Sequence, residues 1–156
     1  MGLDMFLYRR EHLSNYSWGS EHEKEKDAFH AIANAVGIEP CKDAPHINVE
    51  VCVAYWRKAN AVHKWFCNLD GGKDECQNIY VTRGQLAELR NLCANVLFEP
   101  ATASSVLPTQ TGFFFGSYDY DEWYMRDMEN TVNQLDSVLA SVGPDVWVDF
   151  IYRASW

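Results

Sequence analysis

Residues 46–55 read HINVEVCVAY, and residues 56–66 continue WRKANAVHKWF. In the first stretch Ile47, Val49, Val51, Val53 and Tyr55 recur at every second position, with Asn48, Glu50, Cys52 and Ala54 between them. That period of two is the signature of a β-strand with one face on a core. The second stretch changes to helical spacing, with Ala59, Val62 and Phe66 on an inner stripe. DGGKDE, at 70–75, then marks a turn. A strand that passes straight into a helix sets the pattern for the rest of the chain.

Further strands are expected where Leu3, Met5 and Leu7 alternate with Asp4, Phe6 and Tyr8, at Ile79 to Thr82, and at Val146 to Tyr152. A Gly/Ser-containing stretch around Trp18 leads to Ser20 and Glu23, an S-x-x-E capping box. The helix it opens is expected to bury Phe29, Ile32, Ala33 and Val36 and to stop at Gly37. Thr82 and Gln85 make a second capping box, ahead of Leu86, Leu89, Cys93 and Val96. The longest helix starts near Asp119 and carries Tyr124, Met128, Leu135, Leu139 and Val142 to the Gly143-Pro144 stop. Residues 101–109, ATASSVLPT, read as a long loop. There is no internal repeat, low-complexity run or linker. The expectation is an α+β fold in one globular domain over residues 1–156: a small, mainly antiparallel sheet of three to five strands packed with about four helices.

The chain has 156 residues, 47% of them hydrophobic and 22% charged, which fits a globular protein rather than a disordered one. A net charge of −9 argues against binding long nucleic acid, because a polyanion needs a cationic surface. A local cluster of Arg and Lys still admits a small anion. The five cysteines are odd in number and lack CxxC spacing, which predicts thiols in a reducing cytoplasm, with no metal ligand set and no cofactor. MGLDMFLYRRE is polar by its ninth residue, so neither a signal peptide nor an anchor is expected, and no membrane partner.

Two segments carry candidate binding chemistry. On the helix read over WRKANAVHKW, Trp56, Asn60 and His63 at i, i+4 and i+7 share one side. Arg57 and Lys64 would form an adjacent polar line with Lys58 nearby, a set suited to a ring that bears a phosphate or carboxylate. The second segment is LPTQTGFFFGSYDYDEWY at 107–124. Thr109, Gln110 and Thr111 supply neutral hydrogen-bonding groups, and Gly112 and Gly116 allow close backbone approach. Phe113, Phe114, Phe115, Tyr118, Tyr120, Trp123 and Tyr124 either fill a core or line a concave site for something flat. Asp119, Asp121 and Glu122 suit a helix start. Asp4, Glu50 and Asp149 lie amid apolar strand residues and call for partners such as Arg9 or Arg153 if that face is covered. No Walker loop, nucleophile elbow, zincin or dinucleotide motif occurs.

MGLDMFLYRR, AYWRKANAVHKWF, LPTQTGFFFGSYDYDEWY and the final YRASW, in this order, resemble a small family of uncharacterised proteins found widely in tailed-phage genomes. The resemblance implies expression in the cytoplasm of an infected bacterium and an accessory role against host physiology or defence. It implies no reaction. The leading reading is therefore a non-enzymatic binder that sequesters a small nucleotide-derived ligand, a host anti-phage signal among the candidates. Its ligand-binding residues would be Trp56, Arg57, Lys58, Asn60, His63, Thr109, Gln110, Gly112, Phe113, Phe114 and Tyr118. The alternatives are a protein-interaction module that uses the aromatics on a host protein or in a homo-oligomer, and a nucleotide-modifying enzyme that uses His63.

Overall fold

The computed structural model describes residues 2–16, 19–144 and 146–156; Trp18 lies outside the described residues. It is an α+β fold in which helices pack with a four-stranded antiparallel sheet. In chain order the elements are β1 (Asp4–Ser14), α1 (Ser20–Ala35), β2 (His46–Arg57), α2 (Asn60–Leu69) and β3 (Ile79–Val81). Then follow α3 (Arg83–Phe98), a 3-10 turn (Pro100–Thr102), α4 (Ala103–Val106), α5 (Glu122–Ala140) and β4 (Asp149–Ser155). The strand order is β2-β1-β4-β3, and β3 pairs with β4 in the register Ile79–Tyr152, Tyr80–Ile151, Val81–Phe150. No helix among the described residues is long and apolar enough to cross a membrane.

The chain forms two compact units, one of Arg10–Val51 and one of Met1–Arg9 with Cys52–Trp156. In the smaller unit, α1 buries Phe29 and Ala33. Ile32 is only half-buried and Val36 is 58% exposed, so the helix has a narrower inner stripe than expected. Gly19, not Ser20, holds the N-cap position of α1; Ser20 is already its first residue. Glu50 accepts from the Arg10 guanidinium at 2.6 Å.

The larger unit holds the core. Leu3, Met5 and Leu7 of the β1 segment are fully buried, as their alternation requires. The Thr82–Gln85 capping box opens α3, and Leu86, Leu89, Cys93 and Val96 are all fully buried along it. Four expectations need correction. Strand β2 runs on through Trp56 and Arg57, so the helix starts four residues later than the reading that placed Trp56 on it. The inward face of β2 also changes parity: Ala54 and Trp56 are buried, whereas Val51 and Tyr55 are 56% and 43% exposed. Residues 101–109 are not a plain loop but a 3-10 turn and α4, which bury Ala103 and Leu107. β4 begins at Asp149 rather than Val146, and Trp147 before it is 90% exposed. At Tyr55 the side chain of Gln134 from α5 accepts from the backbone N–H and donates to the carbonyl, at 2.7 and 2.9 Å, doing for an outer strand what a neighbouring strand would do.

Candidate functional site: a charged cavity and a buried polar relay

The corner between β2 and α2 organises the site. Lys58 sits at φ 60°, a left-handed conformation that a residue with a Cβ seldom adopts. It is held there by its N–H to the Leu3 carbonyl at 2.8 Å and by its carbonyl, which accepts from Asn60 N at 2.9 Å. Ala59 occupies the N-cap of α2 and no side chain caps that end. Gly116, at φ 86°, packs so closely that a Cβ there would stand 3.3 Å from the Lys58 Cβ.

Asn60, only 4% exposed, fastens the loop after α4 to this corner. Its amide donates to the carbonyls of Phe115 and Ser117 at 3.0 and 2.7 Å, and its Oδ1 accepts from Gln110 N at 3.2 Å. The loop is also tied to itself. Tyr118 Oη donates to the Gly112 carbonyl at 2.7 Å, Thr109 Oγ1 donates to the Tyr118 carbonyl at 3.0 Å, and Lys64 Nζ donates to the Thr109 carbonyl at 3.3 Å. Gly112 is required by packing: a Cβ there would lie 2.5 Å from the Phe115 ring.

Between this loop, the corner and the start of α5 lies a cavity of about 330 Å³. Its lining combines Arg57, Lys58 and the first turn of α2 with Asp119, Asp121 and Asp127. Asp121 caps α5, its Oδ1 accepting from Trp123 N and Tyr124 N at 3.0 Å each. Trp123 and Asp127, four apart on α5, face the cavity together. The Trp123 indole is 67% exposed, and the Arg126 guanidinium covers it at 5.0 Å. Asp127 is half-buried, and desolvation, followed by the nearby Asp121 charge, pushes its carboxyl up from 3.8 to about 7.

A second polar group lies beneath the loop. His63, 1% exposed, meets Tyr152 Oη through Nδ1 at 2.6 Å and the Asp74 carboxylate through Nε2 at 2.9 Å. The other Asp74 oxygen accepts from Gln110 Nε2 at 2.8 Å. Burial lowers the His63 pKa, with Asp74 opposing that, and burial raises Tyr152 well above its usual value. The imidazole is therefore neutral near pH 7. Phe115 and Trp156 close over it edge-on, with ring centroids 5.2 and 5.6 Å away.

Of the residues singled out in the sequence, Arg57, Lys58, Asn60 and Thr109 line the cavity together. Trp56 does not: it is 1% exposed, donates to Thr131 Oγ1 at 3.0 Å and packs on Phe66. His63 and Gln110 join each other through Asp74 rather than face the cavity. Phe113 is 95% exposed, Phe114 packs against the core, and Tyr118 serves the loop. The expected convergence of Trp56, His63, Gln110 and Phe114 on one pocket is thus not observed, because β2 carries Trp56 inward before the helix begins. Asp4 meets the Tyr55 hydroxyl and, at 4.0 Å, Arg57 instead of Arg9 or Arg153. Sequence reading missed Asp119, Asp121 and Asp127 as cavity residues, since acids near a helix start are explained by the helix dipole alone. The i, i+4 spacing of Trp123 and Asp127 was the available signal. Comparison with protein-family models, curated proteins and solved structures finds no match for this chain.

Proposed function

We propose that the protein is a non-enzymatic binder of a small, flat ligand that carries one anionic group and several hydrogen-bond donors, a mononucleotide being the chemistry that fits best. The carrying observation is the mixed lining of the cavity: Arg57, Lys58 and the uncapped α2 terminus line it together with three carboxylates and the Trp123 indole. A phosphate suits the two cations and the helix N-terminus. Amino groups of a base suit the carboxylates, and its ring suits the indole. The volume is at the small end of the range for ligand sites, about 300–1,000 Å³, which favours a mononucleotide over a larger cyclic oligonucleotide. Two features point to function rather than stability. Lys58 is a strained non-glycine residue, and Asp127 is a carboxylate that its surroundings disfavour. In an infected bacterium, where the resemblance to phage proteins would place it, such a binder sequesters a host nucleotide signal.

Thermal-shift titration with nucleoside mono- and cyclic monophosphates tests this. A ligand at 100 times its Kd stabilises by about 2.7 kcal/mol; no shift with any of them counts against the proposal. Lys58→Gly separates function from stability. Relief of the left-handed strain is expected to leave the fold unchanged or stabilise it by about 1 kcal/mol, while loss of the ammonium weakens ligand binding. A variant that both binds and melts like the wild type removes Lys58 from the site.

The enzyme reading draws no support from the cavity, because His63 does not line it. The interaction-module reading keeps one specific observation. Phe113 is 95% exposed on a loop whose neighbours are tied down. Phe113→Ala is expected to change stability by less than about 0.5 kcal/mol and to leave nucleotide binding intact. Loss of a host-protein partner in that variant would favour the second reading.

A further inference from the structure

The geometry points to a second site, independent of the cavity: a zinc-type divalent metal centre formed by His63 Nε2, Cys67 Sγ and Asp74 Oδ1. One ligand atom from each of these residues lies within 4.8 Å of those of the other two. His63 and Cys67 are four apart on α2, so they project from one face, and Asp74 is brought to them by the turn that follows.

The spacing suits tetrahedral coordination. Zn–S near 2.3 Å and Zn–N near 2.05 Å place sulfur and nitrogen about 3.5 Å apart, and Cys67 Sγ stands 3.6 Å from His63 Nε2. Nitrogen and carboxylate oxygen on one zinc lie about 3.3 Å apart, so the 2.9 Å His63–Asp74 contact opens by a few tenths of an ångström. The outer contacts a metal centre needs are already present. Tyr152 Oη holds the other imidazole nitrogen at 2.6 Å, and Gln110 Nε2 holds the other carboxylate oxygen at 2.8 Å. Cys76 and Gln77 also line the hollow.

Charge and protons also balance. A divalent ion with one thiolate, one carboxylate and one neutral imidazole forms a centre of zero net charge, which suits a buried position. Without metal, burial and the Asp74 and Asp70 charges push the Cys67 thiol up to about 12, so it is protonated near pH 7. Metal binding displaces that proton to solvent and forms the S–metal bond. The imidazole keeps one proton, carried on Nδ1 and donated to Tyr152, which leaves Nε2 to the metal.

Titration of the full chain with Co²⁺ tests the site through the ion's own spectrum. The expected result is one equivalent giving the strong visible bands of tetrahedral Co²⁺ and a near-ultraviolet thiolate-to-cobalt band, both displaced by Zn²⁺. Cys67→Ser should abolish the thiolate band, whereas a Cys41→Ser/Cys52→Ser variant, which lacks two exposed thiols, should retain it. Tyr152→Phe keeps the ring stacked on Phe66 at 3.9 Å and removes only the hydroxyl. It should weaken metal affinity by about 10–100-fold while the thiolate band remains. A weak octahedral-type spectrum, a thiolate band that survives Cys67→Ser, or unchanged affinity in Tyr152→Phe would overturn the assignment.

Discussion

Replacing Asn60 by alanine is expected to lower stability by about 3 kcal/mol and to abolish ligand binding in the cavity. Three backbone groups, the carbonyls of Phe115 and Ser117 and the N–H of Gln110, lose their partner at once. Each buried polar group left unpaired costs about 1–3 kcal/mol, and water that enters the opened loop recovers part of it. For a chain of this size the change corresponds to a fall in melting temperature of roughly 6–12 °C, measured by calorimetry. Asn60→Asp is not expected to rescue it. The carboxylate still accepts from Gln110 but faces two carbonyl oxygens with no donor. The loop carries Thr109, Gly116 and Ser117 into the cavity wall, so binding should fail even where folding survives. A ligand affinity unchanged in Asn60→Ala would show that the cavity wall does not depend on this amide.

Asp127→Asn is expected to stabilise the protein by about 2 kcal/mol at pH 8 and by nearly nothing at pH 4. The folded-state carboxyl titrates near 7 against 3.8 when exposed. Below about pH 4 it is protonated in both states and contributes no difference. As pH rises from 4 to 7 the unfolded chain releases the proton first, which favours unfolding, and the penalty is complete above 7. At about 1.4 kcal/mol per pH unit the full penalty is roughly 4 kcal/mol; water at the cavity reduces this to about half. Chemical denaturation of both proteins at the two pH values measures the difference. Equal stabilisation at pH 4 and pH 8 would rule out a raised Asp127. Nucleotide binding should weaken in the same variant, because the amide presents an N–H where the carboxylate offered only acceptors. Stability gained while affinity falls is the pattern of a residue kept for binding.

The structure also shows which readings of the chain were secure. Leu3, Met5 and Leu7, the Thr82–Gln85 box, and the Leu86–Val96 stripe each rest on local geometry, and each is found as expected. Local rules failed where one segment serves two environments. The odd-numbered pattern of 46–55 is regular, yet the buried side of β2 changes before Ala54. No period within the strand reports that switch, because it depends on which residues of other elements stand against each half. Trp56 was misplaced for the same reason: helical spacing from 56 to 66 is genuine, but Lys58 at φ 60° breaks the chain direction inside it.

By itself, then, the sequence determined the α+β class and most of the core stripes, and it singled out two segments, WRKANAVHKW and LPTQTGFFFGSYDYDEWY. These follow from periodicity and composition, which are properties of neighbours in the chain. Only the tertiary structure decided what the two segments do to each other. Asn60 clasps the aromatic loop, His63 turns inward to Tyr152 and Asp74, and Asp119, Asp121 and Asp127 line one cavity with Arg57 and Lys58. Those contacts join residues up to 89 positions apart. Their geometry is set by how strands and helices pack, which residue spacing within one segment does not encode.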